Sequence, residues 1–196
     1  KEVGIKPTPS IGGVGLIKDY TKMITMDFKE LDNIVLLIGK TEGHIDQSLL
    51  ARTILDEKNG PPPEINLFNE KNNGETLLQL MSKKLIKSAH DVSLGGIITA
   101  ISKMCIKGNK GIELDKPKSL ISDIEYFFSE DQGRYIIEIH PDDLNKVTKV
   151  LNENSVHYEK LGKIIEKHMT INQKTNITID ELKSYNTNWL TNYMSS

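Results

Sequence analysis

The segment KSAHDVSLGG, Lys87 to Gly96, gathers a histidine, an aspartate, a serine and two adjacent glycines just before an apolar run with helical spacing. Where a strand gives way to a helix, the unpaired amides of the first turn act with the helix dipole to attract anions. His90 and Ser93 stand at that corner, and Gly95 and Gly96 remove side chains that would obstruct a phosphate. A plainer reading uses the same residues: Ser93 or Asp91 caps the helix, and the glycines permit close packing on a sheet. Local sequence alone favours the plainer one. His90 and Asp91 also have the types of an acid–base pair or of metal ligands, yet no further histidine, aspartate or cysteine follows nearby at a metal-ligand spacing. A metal site is therefore not expected.

A second polar cluster, SEDQGR, sets Ser129, Glu130, Asp131, Gln132 and the fork-shaped donor Arg134 ahead of an alternating apolar segment. These groups could read a polar ligand, or Arg134 could pair with a carboxylate and hold the turn; the structural role is the expectation. PTPSIGGVG, Pro7 to Gly15, has the glycines of a phosphate loop but neither a Walker lysine nor a following helix. Cys105 is the only cysteine and lies inside the apolar run Ile97 to Ile106, as a small buried hydrophobe would. His44, His140, His157 and His168 fall in unrelated contexts that suit turns and surface.

The elements that must position these residues are legible from periodicity. Val14 to Ile17 and Lys22 to Met26 read as strands joined by a turn at Lys18 to Tyr20. Asn33 to Gly39 is a continuous apolar run closed by glycine, which fits a strand buried on both faces. Asp46 is expected to cap a helix to about Glu57, ended by Asn59 to Pro63, and a second helix spans about Gly74 to Ile86. Lys87 to Val92 reads as a strand, Leu94 to Lys107 as a helix closed by Gly108, Gly111 to Leu114 as a strand and Leu120 to Phe128 as a helix. Arg134 to Ile139 alternates as a strand, and Pro141 opens an amphipathic helix through Leu151. The rest reads as a strand from Tyr158 to Ile165, a hairpin from His168 to Ile179 turning near Lys174, and a helix begun by Asp180. Strands interleaved with helices and including a hairpin give an α+β fold with a mixed sheet covered by helices.

The chain has 196 residues, a net charge of −2, 37% hydrophobic and 27% charged residues, so one domain with an ordinary core is expected. Lysines scattered among acids argue against a nucleic-acid binder, which concentrates positive charge to neutralise phosphates. No apolar run reaches the ~18 residues of a membrane span and no secretory leader is visible, so a cytoplasmic protein and no membrane partner are expected. The opening at Lys1 suggests the middle of a longer polypeptide, with residues 1–15 as a linker from an upstream domain.

Four segments together, PTPSIGGVGLI, IGKTEGHIDQSLLARTILDEKNGPPPEINL, SAHDVSLGGIITAISKM and FFSEDQGRYIIEI, resemble the large subunit of phosphoribosylformylglycinamidine synthase. They keep that family's order and spacing over most of the chain. The resemblance implies the last C-type domain, three-layered, of a protein that pairs ATP-grasping N-type domains with C-type domains related to aminoimidazole ribonucleotide synthetase. It implies a carbon–nitrogen ligase of purine biosynthesis that uses ATP and Mg2+. ATP phosphorylates the amide oxygen of formylglycinamide ribonucleotide, and ammonia from a glutaminase partner displaces the phosphate. A small accessory subunit and the N-type domains are the other implied partners. The family's GNVSLYNE stretch, which contacts nucleotide, magnesium and substrate, has no counterpart in this sequence, so the chain alone is expected to be inactive and to hold no cofactor tightly. Ser129, Glu130 and Gln132 match the family's substrate-contacting SESQ turn by internal pseudo-symmetry, with Asp131 in place of its second serine. With Arg134 and with His90, Asp91, Ser93, Gly95 and Gly96 they form the candidate substrate- or phosphate-binding set; no catalytic residue is assigned. A second possibility is a non-catalytic interaction or scaffold domain of the same fold. GPPPEINL and SEDQGR weaken a third, a selenophosphate or hydrogenase-maturation relative.

Overall fold

Five consecutive apolar residues, Ile34–Ile38, form β1, and every one of them is buried. A strand that is apolar on both faces needs a layer on each side, and the computed structural model, which describes residues 10–57, 59–118 and 120–195, supplies both. Around β1 the chain builds a seven-stranded sheet ordered β2-β4-β1-β5-β3-β6-β7. The strands are β2 (Ser88–Asp91), β3 (Gly111–Leu114), β4 (Tyr135–Ile139), β5 (Tyr158–Ile165), β6 (His168–Ile171) and β7 (Thr175–Thr178). Neighbours are antiparallel except β3 and β6, which run parallel.

Val35, Leu37 and Ile136 point to one face and meet α3 (Gly96–Gly108) and α4 (Asp123–Phe128) through Ile97, Ile101, Met104, Tyr126 and Phe127. Leu36, Ile38 and Ile137 point to the other face, where α2 (Leu67–Ser82) and α5 (Leu144–Glu153) contribute Leu77, Leu80, Val147 and Leu151. Helices α1 (Leu49–Thr53) and α6 (Ile179–Ser195) complete the set. The expected α+β class, a mixed sheet covered by helices in three layers, is the fold of the chain. Among the described residues no helix is long and apolar enough to cross a membrane.

Several expected boundaries are corrected. The two early strands are absent: residues 10–26 are irregular apart from a 3-10 turn at Tyr20–Lys22, because no strand lies alongside them. The Thr25 carbonyl accepts from the Ala89 amide of the edge strand at 3.3 Å, and Ile24 and Met26 pack against the two core clusters. Pro7 to Pro9 and the first nine positions of the expected linker lie outside the described residues. Ser48, not Asp46, caps α1, its hydroxyl accepting from the Ala51 amide at 3.1 Å. Helix α2 starts at Leu67, capped by Asn66, and carries Gly74 in its interior. Gly108 is the last residue of α3 and Asn109 takes the left-handed position after it. A Cβ on Gly108 would lie 2.4 Å from the Phe28 carbonyl oxygen, so close packing rather than capping explains that glycine. Ser122, in a capping box with Glu125, starts α4 later than expected. A 3-10 turn, Pro141–Asp143, precedes α5.

One buried acid ties the edge of the sheet to the chain's entry. The Glu138 carboxylate accepts from the Lys29 and Glu30 amides, the Asn33 side-chain amide and the Ser88 hydroxyl, at 2.9, 3.0, 2.7 and 2.8 Å. With four donors the charge is tolerated at full burial. Glu138→Gln, which turns two acceptor positions into donors, is expected to lower stability by about 3 kcal/mol in urea unfolding.

Cys105 is fully buried and burial pushes its thiol up to about 12. In the unfolded chain the thiol ionises near pH ~8.5, so its contribution to stability is complete below that pH and is lost as pH rises toward 12. At pH 8 a disulfide reagent is expected to label Cys105 only as fast as the chain opens, whereas immediate labelling would mean an accessible thiol.

Candidate functional site

The turn from β2 into α3 and the Ser129–Arg134 turn lie side by side. Gly95 (φ 82°) and Gly96 (φ 70°) both take left-handed backbone, and a Cβ on Gly96 would fall 2.6 Å from the Ser129 carbonyl oxygen. The glycines therefore let α3 start directly against the end of α4. Neither Ser93 nor Asp91 caps the helix. Gly95 is the cap residue, and its amide donates to Glu130 Oε1 at 2.8 Å. The same oxygen accepts from the Leu49 amide of α1 at 2.7 Å. The anion that the corner attracts is thus the chain's own carboxylate.

The other members of the turn are equally committed. Arg134 is 1% exposed and its guanidinium donates to the Ser129 and Asp131 carbonyls and to Thr41 Oγ1, at 2.8, 3.2 and 3.0 Å. Its nitrogen also lies 3.7 Å from Asp131 Oδ2, which is the carboxylate pairing that the sequence suggested. Asp131 meanwhile accepts from three consecutive amides, Glu42, Gly43 and His44, at 3.0, 3.1 and 3.1 Å. Ser129 is buried and its hydroxyl has no partner among the described residues. Gln132 is exposed and, with Asp131, lines an open cleft.

On the edge strand, His90 Nδ1 lies 2.9 Å from Asp91 Oδ1, and the buried Nε2 has no partner among the described residues. A carboxylate only accepts, so Nδ1 carries the shared proton. Burial raises the Asp91 carboxyl, but the His90 hydrogen bond and charge outweigh it and hold the group below its ordinary range. Ser93 is exposed beside them. Among the described residues no group of three or more histidines, cysteines or acids is arranged to hold a metal.

The cleft that Gln132 faces has a volume of ≈ 910 Å³ and runs between the start of α2, the exit of β1 and the 131–132 turn. Lys40, His44, Glu70 and Asn73 line it as well. Sequence reasoning missed them, although one signal was present. Asn73 precedes Leu77 and Leu80 by four and seven residues, so it is a polar side chain on the inward stripe of α2.

The fold and the site now admit comparison with known proteins. The family model described as "AIR synthase related protein, C-terminal domain" matches residues 31–173, well over half of the sequence. The chain belongs to this family. The phosphoribosylformylglycinamidine synthase subunit PurL of Pelagibacter ubique (strain HTCC1062) is 69% identical over 196 residues, covering 100% of this chain and 27% of its own. The same subunit of Rhodopseudomonas palustris (strain HaA2) is 36% identical over 192 residues, covering 98% of this chain and 26% of its own. The chain thus spans about a quarter of the length of the curated relatives it matches. Among solved structures, Thermotoga maritima PurL complexed with FGAR superposes with a TM-score of 0.70 at 16% identity, over 83% of this chain and 29% of its own, a likeness of fold.

Within this AIR synthase related domain, Asp131 is expected to fix the loop that follows β1. Asp131→Asn should cost about 2 kcal/mol of stability and speed hydrogen exchange at the Glu42, Gly43 and His44 amides, read by nuclear magnetic resonance. Unchanged exchange there would remove Asp131 from that role.

Proposed function

We propose that this chain is the last C-type domain of the large subunit of phosphoribosylformylglycinamidine synthase. The whole enzyme then converts formylglycinamide ribonucleotide to formylglycinamidine ribonucleotide in purine biosynthesis, using ATP and ammonia released by a glutaminase subunit. The observation that carries this reading is 69% identity to a PurL subunit along the entire chain. A small accessory subunit, Mg2+ and a cytoplasmic location belong to the same reading.

The candidate residues of the two turns do not fit the triphosphate or the metal. The helix-start corner is closed by Glu130, the Arg134 guanidinium is spent on internal acceptors, and no acid cluster stands ready for a cation among the described residues. An anionic ligand entering at Gly95 would have to displace a carboxylate that already takes two amides. The nucleotide and its metal therefore sit on other domains, and this domain supplies a wall and a docking face. The segment from Ile11 to Met23, with Ile11, Val14, Leu16 and Tyr20 exposed, suits such a face. It also supports the alternative of an interaction domain with no part in turnover.

Replacing the matching quarter of the Pelagibacter PurL with this sequence tests the reading. The chimera is expected to keep synthase activity within about tenfold of the parent, ~1.4 kcal/mol of barrier, while the 196-residue chain alone, given ATP, ammonia and the ribonucleotide, forms no product. Turnover by the chain alone would overturn the division of labour, and a folded but inactive chimera would overturn the assignment.

A further inference from the structure

Helix α6 outruns the domain it belongs to. Ile179 is buried, Leu182 packs against the core cluster on the α3 face, and Lys183 donates to the Asn109 side chain just past the end of α3. Beyond that point every residue from 184 to 195 is exposed. The sequence there, SYNTNWLTNYMS, is a poor basis for a free-standing helix. Only Leu190 and Met194 are strong helix formers, and with no charged residue after Lys183 no ion pair can form along it. So short a segment of such residues does not hold a helix in water without a packing surface.

Leu182, Tyr185, Trp189 and Tyr193 follow one another at intervals of three and four, so they share one face, and Leu190 and Met194 widen it. The stripe begins on the core at Leu182 and continues past the edge of the domain. Tyr185 is 75% exposed, Trp189 62% and Tyr193 71%, with the Trp189 and Tyr193 rings tilted and their centroids 6.5 Å apart. Three aromatics exposed to that degree offer on the order of 450 Å², and Leu190 and Met194 bring the face to about 600 Å². That is the upper end of what a monomer leaves bare.

Two features select the occupant. A surface as apolar as the stripe itself is needed to cover it, and two such faces together bury about 1,200 Å², the lower limit of a specific interface. The rim is also neutral. Asn188, Thr191 and Asn192 carry groups that both donate and accept, so each can pair with its own kind across a twofold axis, whereas a charged rim would repel an identical copy.

We propose that α6 is a self-association helix: two copies of this chain cross their α6 helices antiparallel about a twofold axis, with Trp189 of each copy packed against the aromatic stripe of the other. In such a contact every residue of the stripe is used twice. It lies apart from the two turns and the cleft, and it requires no substrate.

Trp189 is the only tryptophan, so its fluorescence reports the contact directly. In sedimentation equilibrium the 196-residue chain is expected to show twice its mass of 22.1 kDa at about 100 µM, with a Kd of about 10 µM, the strength of a small interface. On dilution below Kd the tryptophan emission should move to the red while helical circular dichroism falls in step, because α6 loses its packing surface. Trp189→Glu and Leu190→Glu, both at exposed positions, should keep the melting temperature of the domain and weaken the dimer about thirtyfold each. Val14→Glu, in the other exposed apolar segment, should leave Kd unchanged. The proposal falls if the chain keeps a mass of 22.1 kDa at about 100 µM, if Trp189→Glu and Leu190→Glu associate as tightly as the parent, or if Val14→Glu weakens the dimer as much as they do.

Discussion

A guanidinium taken out of water costs several kcal/mol unless its N–H groups find acceptors, and that requirement at Arg134 organises one end of the sheet. Its acceptors are the Ser129 and Asp131 carbonyls and the Thr41 hydroxyl, drawn from two separate stretches of chain. Asp131, held next to it, binds three amides of the loop after β1, and Glu130 binds the first amides of α1 and α3. Six residues thus set where two helices begin and where a strand ends. The cleft wall follows from that clasp, because the turn presents the exposed Gln132 side chain to the opening.

The chemistry of the candidate set divides along the same line. Groups that looked like ligand readers in isolation, Arg134 and Glu130 above all, are saturated by the backbone. The His90 and Asp91 pair stands apart on the edge strand, with one buried imidazole nitrogen that has no partner among the described residues.

Much of this was legible in the sequence, for physical reasons. The run Asn33 to Gly39 had only one sensible environment, and the strands at Ser88, Gly111, Tyr135 and Tyr158 followed from period and punctuation. The Arg134 pairing was foreseen because a fork-shaped cation next to acids seldom stands idle. What could not be read was long-range satisfaction. Glu130 sits 35 residues from the amide it caps, and nothing near Gly95 announces it, so a local cap by Ser93 or Asp91 was the natural expectation. The early strands failed for the mirror-image reason: Val14 to Met26 has strand-like residues, but a strand exists only where another offers it a ladder.

The order of strands has a consequence for how the chain comes into being. β1 lies between β4 and β5, so residues 34–38 must wait for residues 135–139 and 158–165 before either of their edges is paired. During synthesis β1 emerges well before both of its partners, since Tyr135, which pairs with Ile38, follows about a hundred residues later. Pairing so remote in sequence is slow and leaves an unpaired edge open to other chains. Until the C-terminal third has left the ribosome, β1 has neither of its neighbours and the sheet has no centre.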